Sequence, residues 1–241
     1  MGTGPFSSTA GIYDVVYQHL DYTGTAGVVA GIVRDRRPDA RSLLDVACGT
    51  GLHLAEFREM FDDVAGADID DEMLIVARDR LGPDIPLHLA DYTDFELGRT
   101  FDAVTCMFSS IGYAHTSDRL DSAIAAMARH LKPEGVLVVE PWLLPHMIQP
   151  PYVRVLTAEA DGVVIARTTR HLTPGDRDAT DMEFVYLVTS QEGSQVITER
   201  HVMGLYPAER YLAAFERAGL TAEFIEGGTE LGRGLVVGVR S

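Results

Sequence analysis

The chain has 241 residues, 46% of them hydrophobic, with 36 acidic side chains against 20 lysines and arginines and a formal charge of −16. That length can bury a sizeable core in one domain, whereas the charge argues against nucleic acid or an anionic membrane as partner, since both demand a basic footprint. No apolar run approaches the about 20 residues of a membrane span, and with two cysteines outside any C-x-x-C pairing and no charged-then-apolar leader, a cytoplasmic setting is expected.

Residues 1–40 carry Ile12-Tyr13-Asp14-Val15-Val16-Tyr17 and a helix-compatible stretch over 25–36, which together predict a helical cover. Its tyrosines, Tyr13, Tyr17 and Tyr22, read either as packing aromatics or as lid residues stacked on ligands. Residues 41–150 alternate strand and helix: strand 42–47, helix 50–60, strand 64–69, helix 71–80, strands 86–90 and 101–107, helix 117–131 and strand 135–140. Val136-Leu137-Val138-Val139 is apolar throughout, as a strand covered on both faces must be. Residues 151–205 hold four runs rich in β-branched residues, 152–159, 163–171, 180–189 and 195–205. They are split by the turn chemistry of Ala160-Asp161-Gly162, Thr173-Pro174-Gly175-Asp176 and Gln191-Glu192-Gly193-Ser194, which predicts an antiparallel meander inserted in the sheet. In residues 206–241 a helix over 207–218 and strands 221–225 and 235–239 complete the sheet, the last connection being short enough to force antiparallel pairing.

The chemistry concentrates in Leu43-Leu44-Asp45-Val46-Ala47-Cys48-Gly49-Thr50-Gly51, an apolar strand running into a glycine turn before a helix. Ligands bind open α/β sheets at such carboxyl edges. The small residues Ala47, Gly49 and Gly51 lack the third glycine of a G-x-G-x-x-G dinucleotide fingerprint. Asp45 inside the motif would repel a diphosphate and suits a cationic ligand, which favours S-adenosylmethionine over NAD. Asp68 follows Asp45 by 23 positions, close to the roughly 20-residue interval of a ribose-binding carboxylate. Asp70 or Asp71 is the expected N-cap of the next helix, and Asp91, after the third strand, can accept from an adenine amino group. The fourth strand opens at Ser109-Ser110-Ile111-Gly112-Tyr113, where a methyl acceptor should stand.

The glycine loop, with Thr105-Cys106-Met107-Phe108-Ser109-Ser110-Ile111-Gly112, Val138-Val139-Glu140-Pro141-Trp142 and Gly232-Arg233-Gly234-Leu235, resembles the N-methyltransferases of nucleotide-linked amino sugars. Within them it is similar to the N,N-dimethyltransferases that make desosamine and mycaminose for macrolide antibiotics. The resemblance spans nearly the whole chain and implies a class I methyltransferase, Rossmann-like α/β fold with a mostly parallel sheet. It implies S-adenosylmethionine, leaving as S-adenosylhomocysteine, held by Tyr13, Ala47, Asp68, Asp91 and Met107, with Asp45, Gly49, Ile69, Met73 and Tyr92 expected beside them. It implies a thymidine-diphosphate amino sugar as acceptor, with Arg233 the leading phosphate ligand and Arg170 and Arg154 further candidates, and with Tyr22, Ser109 and Trp142 expected around it.

Displacement at an activated sulfonium needs a neutral amine held on the axis, about 3–3.5 Å from the carbon, with water excluded. Tyr113 is the first candidate to orient that amine and His115 the candidate proton acceptor; Glu140 either accepts from the amine or steadies the turn before Pro141. A tyrosine, with an ordinary pKa near 10, is a poor base and a better hydrogen-bond partner. No metal cluster stands out, and a homodimer is expected through exposed strands of the insert. An O-methyltransferase of sugar or polyketide hydroxyls, and a non-catalytic S-adenosylmethionine-binding protein, remain as alternatives.

Overall fold

Ser42–Val46 forms strand β1, buried at every position. A computed structural model of the chain, describing residues 10–148, 153–160, 162–172 and 178–241, places this strand inside a seven-stranded sheet. The other strands in chain order are β2 (Asp63–Asp68), β3 (Leu87–Leu89), β4 (Phe101–Cys106), β5 (Leu131–Val139), β6 (Val153–Ala160), β7 (Val163–Leu172), β8 (Ala179–Ser190), β9 (Gly193–Gly204), β10 (Leu220–Ile225) and β11 (Leu235–Arg240). The large sheet runs β10-β11-β5-β4-β1-β2-β3. β1 to β5 pair in parallel, and β11 lies antiparallel between β10 and β5.

Among the described residues six α-helices accompany the strands: α1 (Ala10–Tyr17), α2 (Tyr22–Arg36), α3 (Leu52–Phe57), α4 (Asp71–Leu81), α5 (Ser117–Arg129) and α6 (Ala208–Arg217). Side-chain alternation along β1 feeds both faces of the sheet. Leu44 and Val46 join the core under α5 and α6, with Leu120, Ile124, Met127, Tyr211 and Phe215. Leu43 joins the core under α2, α3 and α4, with Val29, Val33, Leu54, Phe57 and Leu74. These leucines are wholly buried, so truncating either to alanine would cost about 2–5 kcal/mol. Asp70 is the N-cap of α4, its Oδ1 accepting from the amides of Glu72 at 2.9 Å and Met73 at 3.4 Å. Gly82, with φ +82°, ends that helix in a backbone conformation side chains resist.

The meander departs from expectation in one respect. β6 to β9 are not inserted in the large sheet but form a second, four-stranded antiparallel sheet. β5 is already paired on both sides, by β4 and β11, so it offers no edge. The meander buries only one face, as the alternation along β8 shows. That inner face brings Ile165, Met182, Phe184, Tyr186 and Met203 against Val16 of α1 and Trp142. Tyr152, Asp161 and the turn expected at 173–176 lie outside the described residues.

Candidate active site

The backbone after β1 turns through Ala47, Gly49 and Gly51, all in the left-handed region, with φ of 57°, 55° and 80°. Gly51 has a second constraint, because a Cβ there would stand 3.0 Å from Leu81 Cδ1 and 3.3 Å from Ala77 Cβ. At Gly49 a Cβ would meet no protein atom within 4 Å, so it is the φ and the open ligand side that favour glycine there. The Gly49 amide donates to Asp68 Oδ2 at 2.7 Å, and the Asp70 amide donates to Asp68 Oδ1 at 3.0 Å. Burial raises the Asp68 carboxyl above its ordinary value against these backbone bonds. Each carboxylate oxygen keeps lone-pair capacity beyond its backbone contact.

Asp68 opens onto a cavity of about 680 Å³, bounded by the ends of β1 to β4, by α1 and by the inner face of the small sheet. This volume falls within the about 300–1,000 Å³ of small-molecule sites. Of the residues expected on the cofactor side, Tyr13, Ala47, Gly49, Asp68, Ile69, Met73, Asp91 and Tyr92 line it. Asp91 accepts from the Thr93 amide at 2.9 Å and hydroxyl at 2.7 Å, and faces Arg119 at 3.5 Å. Partial burial opposes its ionisation, but these donors hold its pKa below the ordinary carboxylate value.

Two expected cofactor residues lie behind the wall instead. Asp45 is 2% exposed and accepts from Thr105 Oγ1 at 2.8 Å across the β1–β4 pair. Burial pushes it up to about 7. Met107 packs in the apolar layer under α2, α3 and α4. The next residue, Phe108, with φ +53°, lines the cavity instead. A donor set of carboxylates with spare acceptor capacity, beside a loop without a side chain, fits ribose hydroxyls and a cation better than a diphosphate.

The residues expected around the acceptor gather on the turn after β4. Phe108 and Ser109 both have positive φ, 53° and 62°, an uncommon state for non-glycine residues. Glu140, 1% exposed, holds this turn by accepting the Phe108 amide at 2.8 Å, and also accepts the Thr229 hydroxyl at 2.5 Å. Ser109 Oγ donates to the Pro141 carbonyl at 2.8 Å, and the Arg233 guanidinium donates to Ser109 Oγ. Glu140 thus steadies the turn before Pro141. Ser109, Tyr113, His115, Trp142, Arg154 and Arg233 all line the cavity.

Arg170 and Tyr22 do not. Strand alternation puts Arg170 on the outer face of β7, where it pairs with Glu183 at 2.7 Å, while Arg167, Thr169 and His171 share the inner face with Ile165. Tyr22, the first residue of α2, packs its ring on His53 at 4.8 Å in a separate small crevice.

Tyr17, read from sequence as a packing or lid tyrosine, lines the cavity one turn from Tyr13, with ring centroids 4.7 Å apart, and its hydroxyl accepts from Arg167 at 2.7 Å. Arg167, His171, Glu199 and His201 were missed from sequence. His171 stacks on Trp142 at 5.6 Å. Tyr113 Oη meets His201 Nδ1 at 3.0 Å, and His201 Nε2 meets Glu199 at 3.3 Å. The available signal was titratable residues at inner-face positions of alternating strands, Arg167 and His171 on β7 and Glu199 and His201 on β9. Among the described residues no group of three or more His, Cys, Asp or Glu side chains is placed to hold a metal ion.

Residues 43–135 match a family model described as a methyltransferase domain. The chain is 44% identical, over 95% of its length and 97% of the relative's, to the dTDP-3-amino-3,4,6-trideoxy-alpha-D-glucopyranose N,N-dimethyltransferase of Streptomyces venezuelae. Its fold is similar to the crystal structure of Streptomyces venezuelae DesVI, with a TM-score of 0.90 and 43% identity, covering 96% of this chain and 98% of that one. It is also similar to S-adenosylmethionine-bound CalS10, an amino pentose methyltransferase of Micromonospora echinaspora, with a TM-score of 0.86 and 38% identity over 95% and 97% of the two chains. With the residues expected at donor and acceptor lining one cavity and this likeness along nearly its full length, the chain belongs to the family of S-adenosylmethionine-dependent sugar N-methyltransferases.

Proposed function

We propose that this chain methylates the amino nitrogen of a thymidine-diphosphate-linked deoxy amino sugar, in the biosynthesis of an antibiotic or related natural product. One observation carries the reading: Asp68 and Arg233 open on a single cavity from opposite kinds of chemistry, a carboxylate for a ribose and a guanidinium for a diphosphate. The relatives' printed substrates, nucleotide-linked amino sugars, agree with it.

When bound, S-adenosylmethionine supplies an already activated methyl group. What is left to the protein is placement. Asp68 would hold the ribose hydroxyls, Asp91 the adenine amino group, and Tyr13, Ile69, Met73 and Tyr92 the faces of the nucleoside. Arg233, with Ser109, would hold the diphosphate, and Arg154, which also lines the cavity, would be a further phosphate contact. Tyr113, four residues beyond Ser109 on the same turn, would orient the sugar nitrogen. The inner face of the small sheet and α1 wall one side of the chamber with apolar side chains.

The direct test incubates the protein with S-adenosylmethionine and the thymidine-diphosphate 3-amino-3,4,6-trideoxyglucose of the Streptomyces venezuelae relative. Mass gains of one or two methyl units support the reading. Methylation of the matching 3-hydroxy sugar alone would favour oxygen transfer, and no transfer to any sugar would refute both.

The cytoplasm is the proposed compartment, which suits the free cysteines Cys48 and Cys106. A homodimer is proposed through the outer face of the small sheet, where Val153, Val155, Leu187 and Val196 are exposed by 66%, 69%, 46% and 66%.

A further inference from the structure

We propose that Tyr113, His201 and Glu199 form a relay that takes the proton from the acceptor amine, with His201 as its destination. The inference rests on the amine-methylating function above.

The geometry is continuous. Tyr113 leaves the strained turn whose Ser109 receives Arg233, so a sugar held by its diphosphate there presents its ring toward Tyr113. The Tyr113 hydroxyl lies 3.0 Å from His201 Nδ1, and the other ring nitrogen lies 3.3 Å from Glu199 Oε2. Glu199 and His201 occupy successive inner-face positions of β9 and are 7% and 2% exposed. An ionised carboxylate only accepts hydrogen bonds. In the relay Glu199 accepts from His201 Nε2–H, which leaves Nδ1 to accept from the tyrosine. Burial raises the Tyr113 phenol well above its ordinary value, so it does not serve as a stored phenolate.

The proton balance follows. An aliphatic ammonium near neutral pH gives its proton to the Tyr113 oxygen as the tyrosine's own proton passes to His201 Nδ1. The amine is left neutral and the imidazolium faces Glu199. The nitrogen lone pair then forms the N–C bond while the S–C bond breaks, its electron pair staying on sulfur. For a second transfer the methylated ammonium must lose a further proton, so the relay returns its proton to water through the open cavity and acts again. The other titratable and charged groups around the relay are Tyr13 and Tyr17 on α1, His115 with Nδ1 3.2 Å from the Tyr113 carbonyl, Arg167 on β7, Tyr186 on β8 and Tyr92 beyond β3; Phe184 supplies an apolar wall, its ring centroid 4.8 Å from that of His201.

The test measures kcat/KM for the thymidine-diphosphate 3-amino sugar across pH 6.5–9.5 in wild type, His201→Asn, Tyr113→Phe and Glu199→Gln. General-base loss of about 10²-fold is expected at pH 7 for His201→Asn and Tyr113→Phe, shrinking to about threefold at pH 9.5, where the amine arrives neutral from solvent. Glu199→Gln should show the same recovery from a smaller deficit of about tenfold. Losses that stay constant with pH overturn the relay, because a purely structural defect has no reason to heal as the amine deprotonates. Tyr113→Phe removes one oxygen and keeps the test valid should His201→Asn fold poorly. A wild-type enzyme inert toward every amino sugar would instead withdraw the function on which the relay rests.

Discussion

The Thr50 hydroxyl donates a 2.6 Å hydrogen bond to the carboxylate of Asp14, tying the first described helix to the glycine loop. Arg80 of α4 completes the knot by donating to both Asp14 and the Thr50 carbonyl. α1 also carries Tyr13 and Tyr17 over the cavity, so its seating positions the two tyrosines proposed to cover the nucleoside.

Asp14→Ala should therefore weaken S-adenosylhomocysteine binding about fivefold, the worth of a partly exposed charge-assisted contact. Calorimetry checks this, and an unchanged affinity would show that α1 is seated without the Thr50 contact.

Asp68→Ala should cost at least about 2 kcal/mol of cofactor affinity, a thirtyfold loss or more, because two hydrogen bonds to a charged acceptor disappear. Asp68→Asn, which keeps one acceptor oxygen, should lose less. Equal affinities for wild type and both variants in calorimetry would remove Asp68 from the ribose site.

For Arg233→Ala the acceptor KM should rise about 10–100-fold with kcat within about threefold of wild type, as expected of a contact remote from the reacting nitrogen. Steady-state kinetics with the free amino sugar, which has no diphosphate, should show no such difference. An equal penalty on both acceptors would contradict the assignment.

Asp45 gives the stability of the ligand-free protein a definite pH signature. Burial raises its carboxyl to about 7, so the native state keeps a proton that the unfolded chain releases near pH 4. Its contribution is full below about pH 4 and is lost as pH rises to about 7. Asp45→Asn should lack this loss and gain on wild type by on the order of 1–2 kcal/mol between pH 5 and 8. Urea denaturation at the two pH values measures it; a parallel pH course for both proteins would place the ionisable behaviour elsewhere.

What the sequence made legible was local. The glycine spacing around Gly49 and Gly51, the acidic strand end at Asp68 and the cap at Asp70 each follow from backbone rules acting over a few residues. Asp45 and Met107 were harder to place, because a motif gives the position of a residue along a strand end but not which side faces the ligand. Arg170 is the clearest case: one residue in either direction, at Thr169 or His171, would have reached the cavity. Whether β6 to β9 joined the large sheet or made their own depended on β11 occupying the edge of β5, about 100 residues further on. The Tyr113–His201 contact joins residues 88 apart, and no local pattern around either announces it.

The separation of the two sheets divides labour in a way that bears on how such a protein changes. The proposed donor residues sit at the tips of the parallel sheet, whereas Arg167, His171, His201 and Met203 reach the cavity from a module entered after β5 and left before α6. Remodelling that module, through exchange of strands or altered side chains on its inner surface, would retune which sugars are accepted while the methyl-donor cradle stays intact. New acceptor preferences are thus open to this scaffold by grafting rather than by rebuilding its nucleotide-binding half.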